Sequence, residues 1–315
     1  MSFTIHINEE KGFPIILLTD KNLGTEAEIY AFGGLLNAFR VPVADKLFNI
    51  VDGYAGKEDI SNNITNGFKS AKLSPFVCRM YKGRYHLNNR EYQVHKFFLN
   101  EHAIHGLIYD AVYTVVQTEA DNTKASVTLR YEYKGDDEGY PFPYNINLNW
   151  KLEAGNKLTV ATTVSHHNAG PIPIADGWHP YFTLGGKVDE WNIRFNSSTQ
   201  LEYDADLLPS GKKIKDTRFV HGCSLQNIEL DNSFEFEEFN TQARCVLSND
   251  TMQLTIEPDS SYPLLQLYIP DDRKRIAIEN LSGAPDNFNN KMGLVLLPPD
   301  EQKTFTTSYR LALTK

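Results

Sequence analysis

Apolar and polar residues alternate along most of this chain with a period of two, the mark of strands that turn one face to a core and the other to water. Val127, Leu129, Tyr131 and Tyr133 alternate with polar neighbours, as do Ile146, Leu148, Trp150 and Leu152. The turn formers Ala154-Gly155-Asn156 then lead into Leu158, Val160, Thr162 and Val164, so these two runs predict a hairpin. The pattern returns at Met252, Leu254 and Ile256, at Ile276 and Ile278, and at Phe305, Thr307, Tyr309, Leu311 and Leu313. Capped helical periodicity is scarce, and only Ala44 to Ile50 and Ile60 to Ala71 are read as short helices. No fixed repeat, low-complexity tract or proline-rich linker divides the chain. The expected fold is all-β, a large antiparallel β-sandwich forming a single domain over residues 1–315.

With 315 residues, 41% of them hydrophobic and 12% aromatic, the chain can bury a large core. A net charge of −9 and a pI near 5.5 disfavour nucleic acid as a partner, because phosphate-tracking proteins present a basic stripe. A neutral small ligand is the easier partner. No stretch approaches the roughly 20 apolar residues of a membrane span, and the start, MSFTIHINEEKGFP, lacks a basic segment followed by an apolar run. We therefore expect a cytoplasmic protein with no membrane partner. Cys78, Cys223 and Cys245 stand singly and are odd in number, which indicates neither a disulfide framework nor a cysteine-rich zinc site.

Several chemistries are excluded by missing motifs: there is no Walker loop, no GxGxxG opening a helix, no GxSxG elbow and no HExxH pair. Histidine and carboxylate chemistry remains. His102 and His105 have HxxH spacing, but two imidazoles do not complete a zinc site, so no metal is expected. His166 and His167 are adjacent on extended chain and point to opposite faces. His179 sits among Gly177, Pro180, Tyr181 and Phe182, either as a proton-transfer group on an aromatic shelf or as a core histidine bonded to backbone. Glu279 closes the apolar run Arg275-Ile276-Ala277-Ile278-Glu279, either as a strand-end base aimed into a cleft or as a solvated edge carboxylate. For Asp231 and Arg79, nothing local separates a site residue from a surface charge.

The order of the motifs carries more. PFVCRMYKGRY (Pro75 to Tyr85), His105-Gly106, Gly139-Tyr140-Pro141, Trp178-His179-Pro180-Tyr181-Phe182, Leu208-Pro209-Ser210-Gly211, Asp231 with Phe234, Leu265-Gln266-Leu267-Tyr268, Ala277-Ile278-Glu279 with Ser282 to Asp286, and Leu297-Pro298-Pro299 follow one another. In that order they resemble the aldose 1-epimerase (galactose mutarotase) family, from about Gly33 to the C-terminus. Two departures stand out: Cys78 occupies a position where the family has asparagine, and Leu107 one where it often has a second glycine. His221-Gly222 is a second His-Gly pair and is read as a decoy.

The resemblance implies a galactose mutarotase-like supersandwich that interconverts the α and β anomers of a free hexose such as galactose or glucose without a cofactor. It places Glu279 as the base, His179 as the acid and His105 near the ring oxygen, with Arg79, Asp231 and Gln266 holding hydroxyls. The sugar is then the expected partner, and the protein a monomer or weak homodimer. Three rivals stay open. A hexose-phosphate epimerase would use the cluster Lys72, Arg79, Lys82, Arg84 and Arg90, a non-catalytic carbohydrate-binding protein would stack sugars on Trp178 and Tyr181, and a glycosidase would use paired carboxylates.

Overall fold

A computed structural model gives the fold and describes residues 1–9, 12–44, 46–237 and 245–314. Its largest sheet has nine antiparallel strands, in the order Thr114–Ala120, Lys124–Tyr133, Tyr144–Glu153, Lys157–Ser165, Gln302–Leu313, Met252–Pro258, Cys245–Ser248, Asn192–Phe195 and Cys223–Ser224. The predicted hairpin is present: Glu153 pairs with Lys157 and Leu152 with Leu158. Along Tyr144–Glu153 the residues Tyr144, Ile146, Leu148, Trp150 and Leu152 are buried and their neighbours half-buried, so this sheet has one core face.

A second sheet supplies the other layer. Its path runs Pro209–Lys215, Thr199–Tyr203, Asp231–Glu235, Leu264–Tyr268, Ile276–Leu281, Gly177–His179 and Ala71–Leu73, with Tyr181–Phe182 also paired to Ile276–Leu281. Aromatic side chains join the two inner faces, with Trp150 against Trp178 at 5.2 Å, Phe195 against Phe234 at 4.8 Å and Phe182 against Tyr309 at 5.4 Å between ring centroids. Such edge and tilted pairs add about 0.5–1.5 kcal/mol each beyond the area they bury. The chain is thus the antiparallel sandwich that the period-two pattern predicts.

A third, five-stranded sheet from Phe3–Asn8 to Lys46–Asn49 packs on the large sheet. Trp150 Nε1 donates to the Gly34 carbonyl at 2.9 Å. Gly34 has φ +61°, and a Cβ there would collide with Leu148, so only glycine fits this approach.

Of the two segments read as helical, Ile60 to Ala71 overlaps the short helix Lys57–Asn63. Ala44 to Ile50 is corrected: Lys46–Asn49 is a strand that folds back on Leu36–Val43, with Val43 opposite Lys46 and Val41 opposite Phe48. Ala44 makes the turn at φ +51°, and Asp45 lies outside the described residues. Pairing to a neighbouring strand overrides weak local propensity here, which a seven-residue window does not reveal. No helix among the described residues is long and apolar enough to cross a membrane.

Ile276–Leu281 is buried at every position, unlike the half-buried strands of the large sheet. Asn280 faces inward and accepts from Thr307 Oγ1 at 2.7 Å. Alternation then puts Ala277, Glu279 and Leu281 on the outer face. That face is buried because the segments around Phe68, Phe97 and Ile104 cover it, and the cleft lies between the cover and the sheet.

Candidate active site

Antiparallel register lines up polar side chains across the outer face of the second sheet. Ser233 pairs with Gln266, and Gln266 with Glu279. Gly177 pairs with Leu281, which carries His179 opposite Glu279 two residues further on. With strands about 4.8 Å apart, Gln266, Glu279 and His179 form a row about 10 Å long. His179 Nε2 lies 3.3 Å from Glu279 Oε1, and both side chains are buried, at 7% and 3% exposure. Glu279 is therefore neither a solvated edge carboxylate nor at a strand end, since its strand continues to Leu281. His179 is buried as a core histidine would be, yet its ring contacts a carboxylate and its Nδ1 has no hydrogen-bond partner among the described residues.

His105 extends the row. Its ring meets that of His179 edge-on, with centroids 4.9 Å apart. The backbone explains the His-Gly pair: His105 and Gly106 both have positive φ, at +64° and +79°, and a Cβ on Gly106 would run into the backbone of Ser74. The departure at Leu107 leaves this turn intact, because its N–H still donates to the Ser74 carbonyl at 2.8 Å. The His105 N–H donates to the Cys78 carbonyl at 2.9 Å, and Ile104 pairs with Arg79, so the strand Arg79–Met80 and the histidine turn brace each other. The Asp286 N–H in turn donates to the Arg79 carbonyl at 2.6 Å, tying the segment after Glu279 to the same strand.

The cleft, of about 380 Å³, is lined by all six residues singled out from the sequence: Arg79, His105, His179, Asp231, Gln266 and Glu279. Gln266 Nε2 donates to Asp231 Oδ1 at 2.8 Å, while Gln266 Oε1 accepts from Ser233 Oγ at 2.6 Å with the Tyr203 hydroxyl 3.0 Å away. These contacts fix which way the amide points. No carboxylate among the described residues lies within ion-pair distance of Arg79, whose guanidinium is left for a ligand.

Electrostatics follow burial. Desolvation drives the Glu279 carboxyl well above its usual range, with Asp231 adding to the rise and Arg79 opposing it. Desolvation lowers His179 to about 4 and His105 well below the usual imidazole value. It also raises Asp231, against Arg79 and the Gln266 hydrogen bond. Each shift favours the neutral form of its group, and the Glu279 carboxyl and the His179 imidazole face each other across a 3.3 Å contact.

Other sequence expectations separate. His102 faces elsewhere, accepting the Lys82 N–H at Nδ1, and does not join His105. Among the described residues no three His, Cys, Asp or Glu side chains are grouped to hold a metal. His166 is buried and His167 exposed, as their opposite faces require. The basic cluster disperses: Lys72 is fully buried against Asp176, Lys82 lies 3.9 Å from Glu101, Arg84 bonds Gln93, and Arg90 lies over Tyr92, leaving Arg79 as its member in the cleft. Trp178 cannot stack on a sugar, because it points inward to Trp150; Tyr181 does line the cleft.

Sequence reasoning missed Phe68, Phe97, Tyr203 and Leu207, which also line the cleft. Phe68 and Phe97 come from turn-rich stretches with no strand periodicity, and Tyr203 looks like any half-buried strand aromatic.

The family model for aldose 1-epimerase matches residues 14–310. The chain is 25% identical over 237 residues to the protein YihR of Escherichia coli K12, covering 71% of this chain and 73% of that one. It is 25% identical over 229 residues to an aldose 1-epimerase of Streptococcus thermophilus, covering 69% and 64% respectively. Its fold is similar to a galactose 1-epimerase from Lactobacillus acidophilus, with TM-score 0.83, 18% identity, and 99% and 98% of the chains covered. A galactose mutarotase-like protein from Clostridium acetobutylicum gives TM-score 0.85 at 19% identity, covering 99% of each chain. With the family model spanning nearly its whole length, the chain belongs to the aldose 1-epimerase family.

Proposed function

We propose that the protein interconverts the α and β anomers of a free aldose, with Glu279 as base and His179 as acid. The observation that carries this reading is the facing pair, Nε2 to Oε1 at 3.3 Å, on the floor of a cleft that also presents Arg79, Asp231 and Gln266. Glu279 removes the proton from the C1 hydroxyl, the C1–O5 bond breaks, and O5 takes a proton from His179. The open aldehyde turns about C1–C2. O5 then attacks the other face of the carbonyl, returning its proton to His179 while the new C1 hydroxyl takes one from Glu279. Protons and electrons balance within the pair and the sugar.

This cycle starts from a carboxylate and an imidazolium, whereas burial favours the neutral pair. The two forms contain the same number of protons and differ by one transfer along the contact. A sugar hydroxyl brought to Glu279, with Arg79 opposing the carboxyl's rise, favours the ionic form. Each general acid or base contributes typically ~100- to ~10,000-fold in rate.

Polarimetry of freshly dissolved α-D-galactose and α-D-glucose, with and without the protein, tests the proposal. Faster decay of rotation than in buffer is expected. Decay at the buffer rate with both sugars, together with hydrolysis of a nitrophenyl glycoside, would favour a glycosidase instead. Dispersal of the basic cluster favours a neutral aldose over a phosphorylated one.

A further inference from the structure

The backbone ladder between the strands that carry His179 and Glu279 is incomplete where these two residues face each other. Gly177 pairs with Leu281 on one side of them and Tyr181 with Ala277 on the other, but His179 and Glu279 are not themselves a paired position. Pro180 is the reason. The Ile278 N–H donates to the Pro180 carbonyl at 3.2 Å, and proline has no N–H to return to Ile278. How close the imidazole stands to the carboxyl is therefore set by something besides this ladder.

The His179 strand is held from its other edge and from behind. His179 pairs with Ala71, Trp178 with Lys72 and Gly177 with Leu73, and the Ser70 N–H donates to the His179 carbonyl at 2.8 Å. The Lys72 ammonium donates to Asp176 Oδ1 at 2.5 Å and to the Gly177 carbonyl at 3.2 Å, and it lies 4.2 Å from the centroid of the Trp178 ring. It thus grips all three residues that precede His179. Asp176 carries the grip across to the other strand: its N–H donates to Ser282 Oγ at 2.8 Å and its carbonyl accepts the Ser282 N–H at 2.9 Å, three residues beyond Glu279. The Tyr262 hydroxyl donates to Asp176 Oδ1 at 2.5 Å. Lys72, Asp176 and Tyr262 are fully buried, and none of them lines the cleft.

We propose that Lys72, Asp176 and Tyr262 are positioning residues for proton transfer, a charged clamp that sets the spacing of His179 from Glu279 where the ladder does not. This role rests on the assignment of Glu279 and His179 made above. Stability alone does not call for such a clamp, because well-packed apolar residues of similar volume often replace a buried ion pair without loss. Proton transfer does call for it, since a misplacement of about 1 Å costs on the order of 100-fold in rate. Charge-assisted hydrogen bonds are directional and fix one geometry, whereas apolar contacts are not.

Steady-state mutarotation of D-galactose and D-glucose by three variants tests this role, at a temperature where circular dichroism shows each one folded. They are Lys72→Met with Asp176→Leu, Tyr262→Phe, and Leu254→Ala, the last a control for lost packing at a fully buried position of the large sheet. The double variant should lose about tenfold or more in kcat with KM changed by less than about threefold, because Arg79, Asp231 and Gln266 stay in the cleft. The limbs of its pH profile should move, since the spacing of the pair has changed. Tyr262→Phe should lose about threefold in kcat, and Leu254→Ala should keep both kcat and the pH profile of the wild type. Wild-type kcat and limbs in the double variant, a rise in KM in place of the fall in kcat, or an equal fall in Leu254→Ala overturns the role while leaving the acid and base assignment standing. Where the double variant does not fold, wild-type kcat in Tyr262→Phe overturns it. Wild-type protein that accelerates mutarotation of neither sugar overturns both.

Discussion

His179 and Glu279 face each other from neighbouring antiparallel strands, the imidazole Nε2 3.3 Å from the carboxyl Oε1, and both are shut away from solvent. Neither strand alone makes this contact. It comes from the register set by Gly177 opposite Leu281, which also places Gln266 beside Glu279.

Glu279→Gln keeps shape and hydrogen-bonding reach but removes the base. Its kcat is expected to fall about 100-fold or more while sugar still binds, because Arg79, Asp231 and Gln266 remain. His179→Asn should do comparable damage, and the double variant little more, since groups acting as one unit are not additive. Polarimetric kcat with binding by calorimetry checks this, and near-wild-type turnover by folded Glu279→Gln would refute the catalytic assignment.

Activity should follow a bell in pH. The proposed cycle works with one proton on the pair, so the acid limb reports a second proton entering and the basic limb reports loss of the first. In either single variant the limbs should shift or merge into one. An unchanged bell in Glu279→Gln would show that other groups set the profile.

Stability should carry the mark of the same burial. Glu279 titrates well above 4.5 in the fold, so above pH 4.5 the folded protein keeps a proton that the unfolded chain releases, and stability falls as pH rises through the folded value. Glu279→Gln removes this loss, and its Tm should gain on wild type as pH rises above 4.5. His179, lowered from 6.5 to about 4, acts oppositely: the unfolded chain binds protons that the fold refuses, so stability is lost as pH falls from 6.5 toward 4. Scanning calorimetry at four pH values tests both signs.

Cys78→Asn is expected to be accepted. Cys78 has φ +47°, a left-handed conformation that asparagine adopts more readily than cysteine. A gain of up to about 1 kcal/mol in stability should follow, with activity changed by less than about tenfold. A tenfold or larger rise in activity would show that the missing amide serves the sugar and not only the backbone.

Lys72 and Asp176 form a buried ion pair at 2.5 Å behind the histidine strand, with the Tyr262 hydroxyl donating to the same Asp176 oxygen. Lys72→Met alone strands the carboxylate and should cost about 3–5 kcal/mol, whereas Lys72→Met with Asp176→Leu should recover most of it. Denaturant midpoints of the single and double variants measure the difference. Equal losses in both would mean that the pair is stabilising in its own right.

The sequence by itself determined the sandwich, because period-two alternation survives wherever a strand has one wet face, as in Tyr144–Glu153 and Lys157–Ser165. It also named six residues that the fold brings to one cleft, through the order of short motifs resembling a family; periodicity alone left His179 and Glu279 undecided between cleft and scaffold. Ile276–Leu281, buried on both faces, shows why. Once loops cover a sheet's outer face, a core position and a cleft position look the same in the chain, and only strand register separates them. Tertiary structure alone decided that Lys72 and Trp178 belong to the interior, that the basic cluster disperses, and that Phe68 and Phe97 form one wall of the cleft. Those are contacts between segments far apart in sequence, and local pattern carries no record of which side chains long-range pairing brings together.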